Sequence, residues 1–125
     1  MCRDEVKRPP HGAYLVVLDD YLVAQDLAES IAYHDPAAEV IVRHTVAEAV
    51  AAMDSVETIE VAFVGEAPAR YAGSQLAQMI RSKSGRVVLL GDEAETAGEA
   101  AGWSVLHRPF SLSLVLAYLA KAVSI

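Results

Sequence analysis

Val61-Ala62-Phe63-Val64-Gly65 is a run of four apolar residues, two of them β-branched, that stops on a glycine and is followed by the charged Glu66. Short apolar runs bounded in this way read as strands buried on both faces. Four more recur along the chain, at Tyr14 to Leu18, Val40 to Arg43, Arg86 to Leu90 and Ser104 to Leu106. Alanine-rich segments with helical spacing lie between them. The first helix is predicted over Tyr21 to Tyr33, with Val23, Leu27 and Ile31 on one face. It stops before Asp35-Pro36, because the residue preceding proline avoids helical geometry. The second opens with Thr45-Val46-Ala47-Glu48, a capping box in which the threonine hydroxyl and the glutamate carboxylate satisfy backbone donors left unpaired at a helix start. A third is expected near Ser74 to Arg81, a fourth near Glu95 to Ala101, and the last from Leu112 to about Val123.

Five strongly apolar strands joined by helical crossovers imply a parallel sheet covered on both faces, since parallel neighbours need such connections. The expected fold is therefore a three-layer, doubly wound α/β sheet. Functional groups of such sheets gather beyond the carboxyl ends of the strands, where the strand order reverses. The residues that fall there are Asp19, Asp20, Gly65, Glu66, Gly91, Asp92, His107 and Arg108. A dinucleotide site would place a glycine-rich turn after the first strand, whereas this turn is Asp19-Asp20-Tyr21, with two negative charges and no glycine.

Composition narrows the function further. A chain of 125 residues with 54% hydrophobic content suffices for one domain with one core. Met1 to Gly12 is charged and contains Pro9-Pro10, the composition of a flexible leader, so residues 13–125 are expected to form the domain. The apolar runs are broken before about 18 residues and no secretory signal pattern is present, which points to a cytoplasmic protein without a membrane span. With 17 acids against 10 lysines and arginines, the net charge of −7 disfavours nucleic acid as a partner. The single cysteine, Cys2, excludes an intramolecular disulfide. His11, His34, His44 and His107 lack the spacing of a metal site and read as surface or capping residues. Ser74, Ser111 and Ser113 begin helices and read as N-caps, with no nucleophile elbow around any of them.

The order of elements, the acidic pair in Leu18-Asp19-Asp20, the third strand ending at Gly65 and the last strand ending Leu106-His107-Arg108-Pro109-Phe110 together resemble the receiver domain of two-component response regulators. The resemblance spans Tyr14 to Val123 and implies the flavodoxin-like receiver fold. In a working receiver the acidic pair and a strand-three aspartate bind Mg²⁺, that aspartate takes a phosphoryl group, and a strand-four hydroxyl and a strand-five lysine contact it. Matched residue by residue, the acidic pair is kept as Asp19 and Asp20. The phosphoacceptor position holds Gly65, the hydroxyl position Gly91 and the lysine position Arg108, followed by Pro109. Gly91 and Arg108 stand 17 positions apart, about one helical turn fewer than the resemblance implies, so the fourth helix should be short, displaced or partly unwound. The usual aromatic switch position falls on Val105. The resemblance also implies a cis Arg108-Pro109 bond.

These departures set the functional expectations. Glycine offers no nucleophile, so the chain is read as a degenerate receiver without phosphoacceptor chemistry and without enzymatic activity. Asp19 and Asp20 can hold Mg²⁺ weakly at most, and the preferred reading is an acidic cluster neutralised by Arg108. The last helix covers the sheet with Leu112, Val115, Leu116, Leu119 and Val123. Leu114, Ala117 and Tyr118 are left, with Trp103 and Val105, as an expected association surface for a homodimer, a histidine kinase or another regulator. Trp103 is also expected to pack under the loop left by a short fourth helix. Two alternatives are a small-ligand or cation sensor in the vacated pocket, and phosphorylation at an unusual acceptor such as Glu66.

Overall fold

The computed structural model describes residues 12–108, 115–117 and 119. Five strands, β1 (Ala13–Val17), β2 (Val40–Arg43), β3 (Ile59–Val64), β4 (Arg86–Leu89) and β5 (Ser104–Val105), form one sheet. The order is β2-β1-β3-β4-β5 and every pairing is parallel, the flavodoxin-like arrangement of an open doubly wound sheet. The helices are α1 (Tyr21–His34), α2 (Val46–Met53), α3 (Pro68–Ala72) and α4 (Gln75–Ser82), with a five-residue π-helix at Ala94–Gly98.

Alternation along the strands sorts the core into two layers. Leu15, Val17, Ala62, Val64 and Leu89 point to one face, where Ala49 and Met53 of α2 and Leu76 and Ile80 of α4 cover them. Tyr14, Val16, Val61, Phe63 and Val88 point to the other, under Ala24, Leu27 and Ile31 of α1. Val115 and Leu119, both helical and fully buried, join that second layer. Both faces are apolar, which is why β1 and β3 read as almost unbroken hydrophobic runs. Truncating Leu27 or Phe63, both fully buried, to alanine costs about 2–5 kcal/mol by lost transfer energy and the cavity left behind.

The element ends differ from the sequence expectation for local reasons. β1 starts at Ala13 and stops at Val17, and β4 and β5 stop at Leu89 and Val105. Leu18, Leu90 and Leu106 then each donate one further bond to a neighbouring strand, to the carbonyls of Arg43, Val64 and Leu89. β3 begins at Ile59, two residues early, because Ala13 pairs with Ile59 across a register shift. α3 went unforeseen; Pro68 at its start supplies a preset φ where the missing N–H costs nothing. α4 is capped by Ser74, whose hydroxyl accepts from the Ala77 N–H at 3.1 Å, as expected of that serine. The segment expected as a short or unwound fourth helix is the π-helix followed by a turn. It lies close on β5: a Cβ added at Gly98 would sit 2.8 Å from Val105 Cγ2.

The register aligns the carboxyl ends of all five strands, since Val17 stands opposite both Arg43 and Val64, Val64 opposite Leu89, and Leu89 opposite Val105. The residues that follow these five form one rim.

Candidate functional site

On the β1 side of the rim the chain turns from Leu18 into α1. Asp20 is the N-cap of α1, and its Oδ1 accepts the backbone N–H of Leu22 at 3.0 Å and of Val23 at 3.1 Å. A carboxylate there satisfies two orphan donors and sits at the positive end of the helix dipole. Asp19 is exposed. Leu18 is buried, 7% exposed, and its side chain lies where a substituent at position 65 would go: a Cβ on Gly65 would stand 2.7 Å from Leu18 Cδ2.

His44, at the end of β2, ties this corner together. Its Nδ1 lies 2.9 Å from the Leu18 carbonyl oxygen, and because a carbonyl only accepts, Nδ1 carries the proton. Its ring stacks on Tyr21 with centroids 3.7 Å apart and planes 19° from parallel. Its backbone N–H donates to Glu48 Oε1 at 3.2 Å, so the α2 capping box is completed one residue earlier than the sequence implied, at His44 and not at Thr45.

In the centre, Gly65 follows β3 and donates its N–H to the Val17 carbonyl at 2.9 Å. Glu66 is half-buried; its Oε1 lies 3.7 Å from Arg70 Nη1 and has no hydrogen-bond partner. On the β4 side, Gly91 has φ +122°, with open space where a Cβ would project.

Among the described residues the densest ionic contacts lie between the loop after β4 and the end of β5. Glu95 Oε2 accepts from both the backbone N–H of Arg108 at 3.0 Å and its Nε–H at 2.7 Å. Arg108 Nη2 donates to Asp92 Oδ1. Hydrogen bonds from Arg108 hold the Glu95 carboxyl below the usual carboxylate range, and those same bonds raise the guanidinium above its ordinary value. His107 Nε2 lies 3.5 Å from Glu99 Oε2.

This geometry corrects two expectations and adds one role. Arg108 does not neutralise Asp19 and Asp20; its guanidinium is committed to Asp92 and Glu95, which the π-helical turn brings within reach. Val105 is no surface residue: it is fully buried in the core, against the space left by Gly98. Asp20 is the cap of α1, a role the sequence reading did not give it. The third carboxylate is replaced by glycine, and among the described residues no group of three or more His, Cys, Asp or Glu side chains gathers to hold a metal. Trp103 is half-buried, edge-on to Tyr71 with centroids 5.5 Å apart. Ala117 is exposed, while Leu114, Tyr118, Pro109 and the expected cis bond lie outside the described residues.

Two structural roles escaped the sequence reading, the capping by Asp20 and the pairing of Glu95 with Arg108. Asp20 carried a legible signal, an acid directly before an amphipathic run. Glu95 carried none, because its meeting with Arg108 depends on a π-helix that no periodicity announces. A cleft of about 690 Å³ opens at the opposite rim, lined by Gly12, Asp35, Glu39, Ser55, Glu57 and Thr58. It lies at the amino ends of the strands, far from the residues the sequence singled out.

Among the described residues no helix is long and apolar enough to cross a membrane. No family model matches the chain, and no curated protein matches it. It is similar to a solved structure, that of an adenylate cyclase from Rhodopirellula baltica, with a TM-score of 0.67 at 19% identity, over 91% of this chain and 88% of that one. At that identity the likeness bears on the fold alone, and it agrees with the five-stranded parallel α/β architecture.

Proposed function

We propose that this chain is a cytoplasmic, receiver-like signalling domain that works by binding a protein partner and takes no phosphoryl group. The observation that carries the reading is the pairing of Leu18 with Gly65. The position where the receiver resemblance calls for a nucleophilic carboxylate has no side chain, and an apolar group fills the space beside it. Aspartyl phosphate formation needs a carboxylate oxygen aligned with the phosphorus and a cation to spread the developing charge. Here the nucleophile is absent, Asp20 is occupied as a cap, and the Arg108 guanidinium is spent on Asp92 and Glu95. What remains is a preformed rim without chemistry to drive it, which suits a scaffold whose state is set by what docks on it.

The partner class is a histidine kinase, another regulator or a second copy, and the last helix, where Ala117 is exposed, is one surface for it. The sensor reading is weakened at position 65, where a Cβ would stand 2.7 Å from Leu18 Cδ2, while the space beside Gly91 stays open. The test is incubation with acetyl phosphate and Mg²⁺ followed by intact-mass spectrometry, with size-exclusion light scattering on the same sample. An unmodified mass is expected. An added phosphoryl group mapping to Glu66 would replace this reading with that of a receiver using an unusual acceptor.

A further inference from the structure

β2 is one edge of the sheet. On its inner side the carbonyls of Glu39 and Arg43 accept the N–H groups of Tyr14 and Leu18, at 2.9 and 3.1 Å. In a parallel ladder the residues of a strand turn their backbone groups alternately to one side and the other, so Ile41 also faces β1. The N–H and C=O of Val40 and Val42 therefore point outward. Of these outward groups the Val42 carbonyl alone is bonded among the described residues, by Nη1 of the adjacent Arg43 at 2.7 Å. Both valines are half-buried.

An open edge is ordinary in such sheets, and brevity or charge usually blunts it. The other edge follows that rule, since β5 has two residues. What distinguishes β2 is where its charges stand. Glu39 is exposed immediately before the strand, Arg43 is half-buried at its last position, and neither forms an ion pair among the described residues. One acid and one arginine thus flank Ile41 at equal distance along the strand, two positions to either side.

We infer that β2 pairs antiparallel with β2 of a second copy, about a twofold axis at Ile41. This deepens the partner-binding reading and rests on it. Outward groups must meet outward groups, which restricts the register. Centred on Ile41, the pairing engages both valines of each strand: Val40 and Val42 of the second copy exchange two hydrogen bonds, and symmetry repeats the exchange. The same register sets Glu39 opposite Arg43 of the second copy, also twice. Those sites lie between the hydrogen-bonded pairs, where α-carbons approach to about 4.5 Å and opposite charges across strands stabilise. Arg43 then yields the Val42 carbonyl to the Val40 N–H of the second copy and turns to a carboxylate. A strand of an unrelated protein would need the same charges in reverse order; a second copy has them by symmetry. The net charge of −7 on each chain opposes association, and the short edge keeps the pair weak and concentration-dependent.

The test is sedimentation velocity over a concentration series, with circular dichroism to confirm folding. The expected result for the parent chain is a monomer–dimer equilibrium. Glu39→Arg and Arg43→Glu each set like charges opposite one another and should each weaken dimerisation about tenfold or more. Mixing these two variants should restore association as heterodimers, because every acid then meets an arginine. Val40→Pro removes an outward donor while sparing the bonds to β1, and should leave a folded monomer. A mixture that fails to recover, or a dimer indifferent to all three changes, would overturn the pairing. If Ala117→Glu breaks that indifferent dimer, association lies on the last helix, and the partner-binding reading survives without the β2 pair. A parent that stays monomeric at every concentration overturns the β2 pair alone, since a different protein can still be the partner.

Discussion

Leu18 and Gly65 share one space. A Cβ at position 65 would lie 2.7 Å from Leu18 Cδ2 and 3.5 Å from the Val17 carbonyl oxygen, so the leucine is packed against the glycine's bare α-carbon. Restoring the aspartate that a receiver uses therefore requires Leu18 to move. Gly65→Asp should destabilise the fold only modestly, by about 1 kcal/mol or less, because the atom in the way is the far end of the Leu18 side chain, and should still take no phosphate. Leu18→Ala alone opens a cavity and also destabilises. The double variant should be more stable than the sum of the two losses implies, because each change relieves the other. Urea unfolding of the four proteins measures this, and strictly additive losses would mean that the two side chains do not compete.

The capping role of Asp20 predicts a different pattern from that of a metal ligand. Asp20→Ala should cost about 1 kcal/mol, the usual loss of an N-cap, and Asp20→Asn much less, since the amide oxygen caps equally well. Asp19→Ala, at an exposed position without such bonds, should fall within about 0.5 kcal/mol of the parent. Millimolar Mg²⁺ should leave all four melting temperatures unchanged. A rise confined to proteins that keep both carboxylates would show that the acidic pair binds the ion.

The ion pair between Glu95 and Arg108 gives stability a pH dependence of known sign. The folded-state pKa of Glu95 is lowered by hydrogen bonds from Arg108, so its contribution is complete above the unfolded carboxylate value of about 4.3 and is lost as pH falls through the lower folded value. Glu95→Gln should flatten the acid limb of the stability curve in that window and change little at neutral slope. Arg108→Ala should flatten it too, by removing the cation. If both variants keep the parental acid limb, other carboxylates govern acid unfolding.

How much of this was legible beforehand depended on the range of each interaction. Strand identity followed from apolar runs such as Val61 to Val64, because burial on both faces writes itself directly into composition, while the flavodoxin-like arrangement of the strands came with the receiver resemblance. Thr45 and Ser74 were readable as caps, since a cap is settled within four residues. Arg108 was recognisable as a cation at the rim, but its pairing with Glu95 was not: that residue lies 13 positions away and reaches it through the π-helix. The same holds for Leu18 beneath Gly65 and for His44 on Tyr21, contacts between different loops whose register comes from the sheet and not from local spacing. Val105 was placed on the association surface through the receiver resemblance, whose aromatic switch position it occupies, whereas β5 turns it fully into the core.

Gly91 and Gly98 separate two reasons for a glycine, and the contrast can be measured. At Gly91 a Cβ would meet nothing within 4 Å, yet φ is +122°, a region that side chains with a Cβ rarely adopt and β-branched ones least of all. At Gly98 the conflict is steric, with Val105 Cγ2 at 2.8 Å. Gly91→Thr, which would reinstate the hydroxyl of a receiver pocket, should cost about 1–3 kcal/mol of backbone strain. No trimming of neighbours should recover that loss, because no neighbour causes it. Gly98→Ala should also destabilise, but Val105→Ala in the same chain should recover part of its loss by vacating the contested space. Thermal unfolding of the two single variants, each with and without Val105→Ala, is the measurement. Rescue of Gly91→Thr by Val105→Ala, or its absence for Gly98→Ala, would contradict the assignment of strain to one position and crowding to the other.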